Sequence, residues 1–412
     1  MANITIPGLT EVNDKYRDFI IKLQTGLTAI PAIGPTSEGT GETQKAEFLK
    51  QFITDMGIKF DTLEEINAPD DRVPSKYRPN LVYTIKGKSS SRTTWIMAHM
   101  DVVPPGDGWQ SNPYQVVEKD GKLYGRGTED NQQAIVSALL AVKILHDLKI
   151  QPEYNVGLIL VADEETGSQY GIEHVLKERP DLCKAEDFIL VPDAGDPKGI
   201  IIEVAEKSIL WIKCETIGKD THASTPDKGI NAHRAGAHFI VKMDQLYSAF
   251  NQKDDVYDPP ISTFEPTKKE KNGDNINTIP GNDVVYFDCR ILPSYPLDEI
   301  KAKIHGWATE IEKEFGVKLV ISYPQEKTAP TPTSVHAPVC LALKKAVKEI
   351  TGREAKTMGI GGGTVAACFR EKNLPAVCWT TLDDTLHAPD EYASIENTIT
   401  DARVFAHIFL QP

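Results

Sequence analysis

The chain of 412 residues has no long apolar run. No window approaches the roughly 18 consecutive apolar residues that a membrane-spanning helix needs, so no membrane partner is expected. The opening, MANITIPGLTEVNDKYRDFIIKLQ, lacks a basic stretch followed by an apolar one. No signal peptide is read there, and a cytoplasmic location is expected. Positive charge is also scarce, with 45 Lys and Arg against 59 Asp and Glu, a formal net charge of -14. Such a field repels polyanions, and the densest basic cluster, Lys268, Lys269 and Lys271, reads as a solvated loop, so no nucleic-acid partner is expected. Cysteines at metal or redox spacing are missing as well. The six present (Cys183, Cys214, Cys289, Cys340, Cys368, Cys378) include no C-x-x-C pair, and most sit in apolar segments. Buried free thiols fit this better than disulfides or a thiolate metal site. There is no internal repeat and no low-complexity tract.

What is there is an order of chemistry-bearing side chains, each close behind an apolar, strand-like run: His99 with Asp101, then Asp130, the Glu164-Glu165 pair, Asp193 and His387. One imidazole and one carboxylate per metal plus a shared carboxylate make a mixed N/O set suited to two zinc-type ions. A carboxylate left over can act as a base.

The punctuation of the chain gives its organisation. After amphipathic helical stretches at Tyr16 to Leu23 and Thr43 to Met56, strand-like LVYTI, TWIMAHM, NVGLILVA and FILVPDA alternate with helical runs at Ala134 to Leu148 and Tyr170 to Lys177. This alternation predicts an α/β domain with a mostly parallel sheet covered by helices, and chemistry at the carboxyl ends of its strands. From about Lys207 the texture changes to amphipathic strands, KSILWIKCETIG and NDVVYFDCRILP, beside helical stretches at Asn231 to Phe250 and Leu297 to Phe315. The Pro- and Lys-rich segment from Lys253 to Asn275 between them reads as a surface loop. The first texture resumes after the proline-spaced linker Lys327 to Pro338, with a helix at Val339 to Ile350, a glycine run and PAVCWTTL. The expected layout is therefore a discontinuous catalytic domain, 1–206 and 324–412, around an inserted α+β sandwich at 207–323.

Each candidate has a plainer explanation. His99 and Asp101, two residues apart, point to one face of a strand, so Asp101 can orient the ring; alone, the pair would be a core histidine beside a turn aspartate. Asp130 stands just before a long helix and could be only its cap. Glu164 and Glu165 end an apolar strand, a costly place for charge unless cations compensate it.

The strings AHMDVVP, YGRGTEDNQQA, DEETGS, VPDAG, GKDTHASTPDKGINA, INTIP, DCRI, GIGGGT and LHAPDEY, in that order, resemble the M20 family of dizinc peptidases and amidohydrolases. The resemblance implies that His99, Asp130 and Asp193 hold one Zn2+ and that Asp130, Glu165 and His387 hold the other, with Asp130 bridging; Co2+ or Mn2+ would be substitutes. It implies Glu164 as general base, Asp101 as the orienting acid, and a cis peptide after Asp130. The inserted segment is similar to the family's lid and dimerisation domain. His222 would there reach the partner's site in a homodimer, with Asn277, Arg290 and the run Gly361, Gly362 and Gly363 meeting the substrate. The chain departs from the common pattern at Val365 and Ala366, where many members carry an aspartate, and at Asn131-Gln132-Gln133, commonly Met-Lys-Gly. The implied activity is removal of an acyl group from an N-acyl amino acid, of the desuccinylase or deacetylase kind. Exopeptidase action on short peptides is the alternative, and an inactive binding protein on the same fold the third class.

Overall fold

The computed structural model describes residues 14–411; the opening residues 1–13, where no signal peptide is read, lie outside the described residues. The chain forms two compact units. The first holds the residues up to Val204, Thr333–Thr357 and those from Thr364 on; the second holds Ala205–Pro332 and Met358–Gly363.

The first unit is organised by an eight-stranded mixed sheet in the order Thr62–Glu65, Leu81–Ile85, Tyr154–Val161, Ser89–His99, Phe188–Val191, Ala376–Cys378, Ile201–Glu206, Lys356–Ile360. Its centre is parallel: Ser89–His99 pairs in parallel with both Tyr154–Val161 and Phe188–Val191, and the latter with Ala376–Cys378. Antiparallel pairs extend it on both sides. The central strands are buried on both faces, which is why their sequences are nearly all apolar rather than alternating. Trp95, Met97, Ile159, Val161 and Ile189 face a layer that includes Ile172, Val175 and Phe369. Trp95 lies opposite Gly157 in the register, and a Cβ at Gly157 would fall 2.1 Å from the indole, so only glycine fits there. Helix Gln133–Leu148 is buried almost all round because strand Ser89–His99 and helices Asp14–Thr28 and Ile395–Phe409 pack about it. Because the central strands run parallel, His99, Val161 and Val191 all end at the same edge of the sheet, and the residues that follow them meet there.

The second unit is a four-stranded antiparallel sheet in the order Thr263–Lys269, Asn282–Ile291, Ser208–Ile217, Lys318–Lys327. Here the strands alternate: Leu210, Ile212, Cys214, Val285, Phe287 and Cys289 enter one core with Phe239 and Trp307 from helices Ala232–Met243 and Leu297–Phe315. Trp211, Lys213 and Tyr286 alternate with them and stay partly or fully exposed. One expectation is corrected here. The segment Lys253 to Asn275 is not simply a loop, since Thr263–Lys269 is an edge strand of this sheet with Phe264 buried. Pro266 sits where the register shifts and Lys268 and Lys269 follow it; proline and lysine are tolerated on an edge, and they mask the strand in the sequence. All six cysteines are buried, as expected.

Candidate metal centre

His99 closes the central strand with 2% of its surface exposed. Its Nδ1 lies 3.1 Å from the Asp101 carbonyl and 3.4 Å from Asp101 Oδ1, so this nitrogen donates the ring proton. The other nitrogen, Nε2, then presents a lone pair 3.0 Å from Asp130 Oδ1 and 3.4 Å from Asp193 Oδ1. A lone pair against two carboxylates is repulsive unless a proton or a metal ion lies between them. The same arrangement recurs at His387, whose Nε2 is 3.1 Å from both Asp130 Oδ2 and Glu165 Oε2. Each oxygen of Asp130 thus faces a different imidazole. Donor atoms of His99, Asp130 and Glu165 lie within 4.8 Å of one another, and so do those of His99, Glu164 and Asp193. Glu165 Oε1 is buried with no hydrogen-bond partner, an acceptor that a cation would satisfy. Two imidazoles and a ring of carboxylates with an orphaned buried oxygen fit a pair of borderline dications.

The turns that carry these side chains are held by Asp101 and by groups that the sequence reading had not singled out. Asp101 accepts the amides of Glu164 and Glu165, each at 3.1 Å, so it fixes the turn after the strand as well as the ring of His99. Asp130 does not cap the following helix: its backbone leaves helical geometry, and the Asp130–Asn131 peptide is cis, as the resemblance implied. Glu391, fully buried, accepts the amides of Gly127 (2.9 Å), Glu129 (2.9 Å) and Asp130 (3.0 Å) and pairs with Arg126 at 2.6 Å. Gly127 holds φ +81 with a would-be Cβ 2.4 Å from Val102, so no side chain fits at this bend. In return Glu129 accepts the amides of Asp383 and Thr385, each at 2.6 Å, from the loop that carries His387. Asn131 accepts from the amide of His99 (3.3 Å) and donates to the Pro192 carbonyl (2.8 Å) and to Asp193 (3.0 Å). Asp163, with φ 63, sets the entry into Glu164-Glu165 and pairs at 3.2 Å with Arg78, which is also bound twice by Glu42. Glu129 and Glu391 lie inside the motif strings quoted above, which is the one sequence signal that marked them.

The electrostatics follow from this crowding. Burial alone would push His99 down, but Asp101, Asp130 and Asp193 outweigh it and hold the ring well above the ordinary histidine value. His387 is pulled up to about 10 by Asp130 and Glu165. Burial works against the Asp130 carboxylate, yet the two imidazoles keep it below the usual range. Glu164 is raised well above the usual glutamate value, first by burial and then by Asp193, Asp101 and Glu165. Glu165 is raised by burial, partly opposed by His387.

The remaining candidates lie in the second unit. His222 pairs with Thr278 in a short two-stranded ribbon, and Asn277 accepts the amide of Ala223 at 2.8 Å. Nδ1 of His222 accepts from the Ser224 amide at 3.2 Å, so its ring proton is on Nε2. Arg290 is held by Asp288, at 2.6 and 2.9 Å, and by the Gly361 carbonyl at 3.0 Å, which joins the arginine to the run Gly361, Gly362 and Gly363.

Comparison with known proteins agrees with this picture. The model of peptidase family M20/M25/M40 matches residues 95–411. A metallohydrolase of Methanocaldococcus jannaschii, itself uncharacterized, is 40% identical over 407 residues, covering 94% of this chain and 98% of that protein. The succinyl-diaminopimelate desuccinylase of a Nitratiruptor species is 25% identical over 382 residues, covering 92% of this chain and 95% of its own. The crystal structure of aminopeptidase PepT from Bacillus cereus superposes with a TM-score of 0.74 at 20% identity, covering 95% of this chain and 98% of that one, a likeness of fold. With the family match running through every turn of the site, the chain belongs to peptidase family M20/M25/M40 and is a metal-dependent hydrolase of that family.

Proposed function

We propose that this enzyme hydrolyses the amide bond of N-acyl amino acids with two zinc ions in the first unit. The observation that carries the reading is Asp130, each of whose oxygens faces a different imidazole at 3.0 and 3.1 Å. In this reading His99, Asp130 and Asp193 hold one ion and Asp130, Glu165 and His387 the other. Bound there, the two ions would polarise the scissile carbonyl and acidify the attacking water toward neutral pH.

The chain's own groups do the rest. Glu164 takes the water proton on a carboxylate oxygen and later delivers it to the departing amine; its raised pKa suits a group that must hold that proton between the two events. Asp101 keeps the proton of His99 on Nδ1 and leaves Nε2 as a ligand. The second unit acts as lid and dimerisation domain, and His222 of one subunit donates its Nε2–H to the oxyanion forming in the other. Arg290 offers a planar fork to the free carboxylate of the substrate, beside the Gly361 to Gly363 run, and Asn277 also meets the substrate. The desuccinylase relative, matched over 92% of this chain, supports an acylated amino acid as substrate.

Zinc-loaded protein incubated with N-succinyl and N-acetyl amino acids beside dipeptides tests this directly. Release of free amino acid from the acylated set, abolished by chelation, is expected. Turnover of dipeptides alone would replace the deacylase reading with an exopeptidase one.

A further inference from the structure

Asn131 stands at a position where the chain departs from the common pattern, and its side chain has no part in the chemistry above. It is 3% exposed, with its oxygen and both of its donors engaged. The oxygen accepts the amide of His99 at 3.3 Å, while the nitrogen donates to the Pro192 carbonyl at 2.8 Å and to Asp193 Oδ1 at 3.0 Å. These partners fix which end of the carboxamide is oxygen, because a backbone N–H needs an acceptor and a backbone carbonyl needs a donor.

Asp193 Oδ1 is also the atom that lies 3.4 Å from His99 Nε2. Apart from that ring, Asn131 is the one hydrogen-bond partner of the Asp193 side chain among the described residues. Asp193 follows the end of strand Phe188–Val191 in a turn, so without this bond its carboxylate would be free to rotate. One planar group thus grips the strand end that carries His99, the backbone before Asp193 and the Asp193 carboxylate itself. No hydrogen bond among the described residues joins Asn131 to Glu165 or His387, which face each other at 3.1 Å on the other side of Asp130.

We infer that Asn131 is a positioning residue that sets the affinity of one metal position, the one between His99 and Asp193, and leaves the other nearly untouched. This inference rests on the dimetal reading of the site. A carboxylate already held in place does not have to be ordered by the incoming ion, and polar partners behind a ligand contribute about tenfold to a hundredfold in metal affinity. Methionine, common at this point of the pattern, has no donor to offer, so the hold belongs to this chain's asparagine.

The test compares wild type with Asn131→Leu, close to asparagine in shape, and with Asn131→Met. Zinc affinity is read by competition with a chromophoric chelator, and each substitution is also placed in a His387→Ala background, which leaves mainly the His99 position. One of the two ions should weaken by about tenfold to a hundredfold while the other stays near wild type, and the ion that remains in the His387→Ala background should weaken by the same factor. The visible spectrum of Co2+ bound in that background should change with the substitution, and melting temperature should fall further in zinc-loaded than in chelated protein. Unchanged zinc affinity and an unchanged Co2+ spectrum overturn the inference. So do equal weakening of both ions with equal loss of melting temperature in both forms, or Leu and Met chains that fail to fold even with zinc supplied; either makes Asn131 a residue of the fold alone. Failure of the wild type to bind two zinc ions would instead end the dimetal reading, so the two failures are distinguishable.

Discussion

The two units carry candidate residues in opposite ways. In the first, nearly every such side chain is buried or half-buried and its backbone is tied by a charged group: Asp101 holds Glu164 and Glu165, Glu391 holds Gly127 to Asp130, and Glu129 holds the His387 loop. In the second, His222 and Asn277 are exposed on a short ribbon, and Arg290 is secured mainly by a neighbour two residues away. The difference fits the roles proposed for each part. Metal ligands have to be preorganised to fractions of an ångström, and reciprocal carboxylate-to-amide clamps supply that rigidity. Groups that meet a variable substrate gain from being adjustable.

The contrast is broken most severely through Arg78, buried with Glu42 and leading to Asp163 at the entrance of the Glu164 turn. Arg78→Met strands buried carboxylates and is expected to cost about 3–5 kcal/mol of stability in denaturant unfolding, with loss of metal. A change under 1 kcal/mol, well below that range, would show that the network is not what holds the turn. Glu164→Ala should keep both metals in elemental analysis while kcat falls by roughly 10²-fold or more, the loss expected for a missing general base. Full activity in that variant would remove Glu164 from the chemistry.

A substitution in the second unit should behave differently. His222→Ala is expected to lower kcat by about 10²-fold, as for a lost oxyanion donor, with metal content and melting temperature unchanged. Co-expressing His222→Ala and Glu164→Ala chains with different tags and isolating the mixed dimer should recover activity, because one of its sites then has both groups. A mixed dimer as inactive as its parents would remove the role of His222 across subunits.

The smallest effect is a slope with pH. His387 has its pKa raised to about 10 by Asp130 and Glu165, so its protonated form favours the fold. In chelated protein that contribution is complete below the ordinary histidine value, about 6.5, and is lost as pH rises through about 10. Melting temperature should fall across that window, and His387→Ala should flatten the fall. Metal binding, which needs the neutral ring, should strengthen over the same range. An equal slope in wild type and variant would place the titration elsewhere.

Much of the first unit could be read from the chain because each central strand is an apolar run that ends close to a polar candidate residue, as with His99 after TWIMA and Glu164 after NVGLILVAD. A strand buried on both faces leaves no ambiguity of period, and its carboxyl end marks the site. The clamps were not legible, since Glu129 and Glu391 act on loops 262 residues apart and look like ordinary surface acids. Arg78 was hidden for the same reason: only the fold brings it to Asp163. In the second unit the edge strand Thr263–Lys269 was masked by the proline and lysines that protect an edge.

The central claim is that one carboxylate, Asp130, joins two metal positions. Metal content per chain, measured on wild type, Asp130→Ala and His387→Ala after equilibration with limiting zinc, tests it most directly. Two ions in wild type, loss of both in Asp130→Ala and loss of mainly one in His387→Ala are predicted. Two ions retained by Asp130→Ala would contradict the bridge and the site built on it.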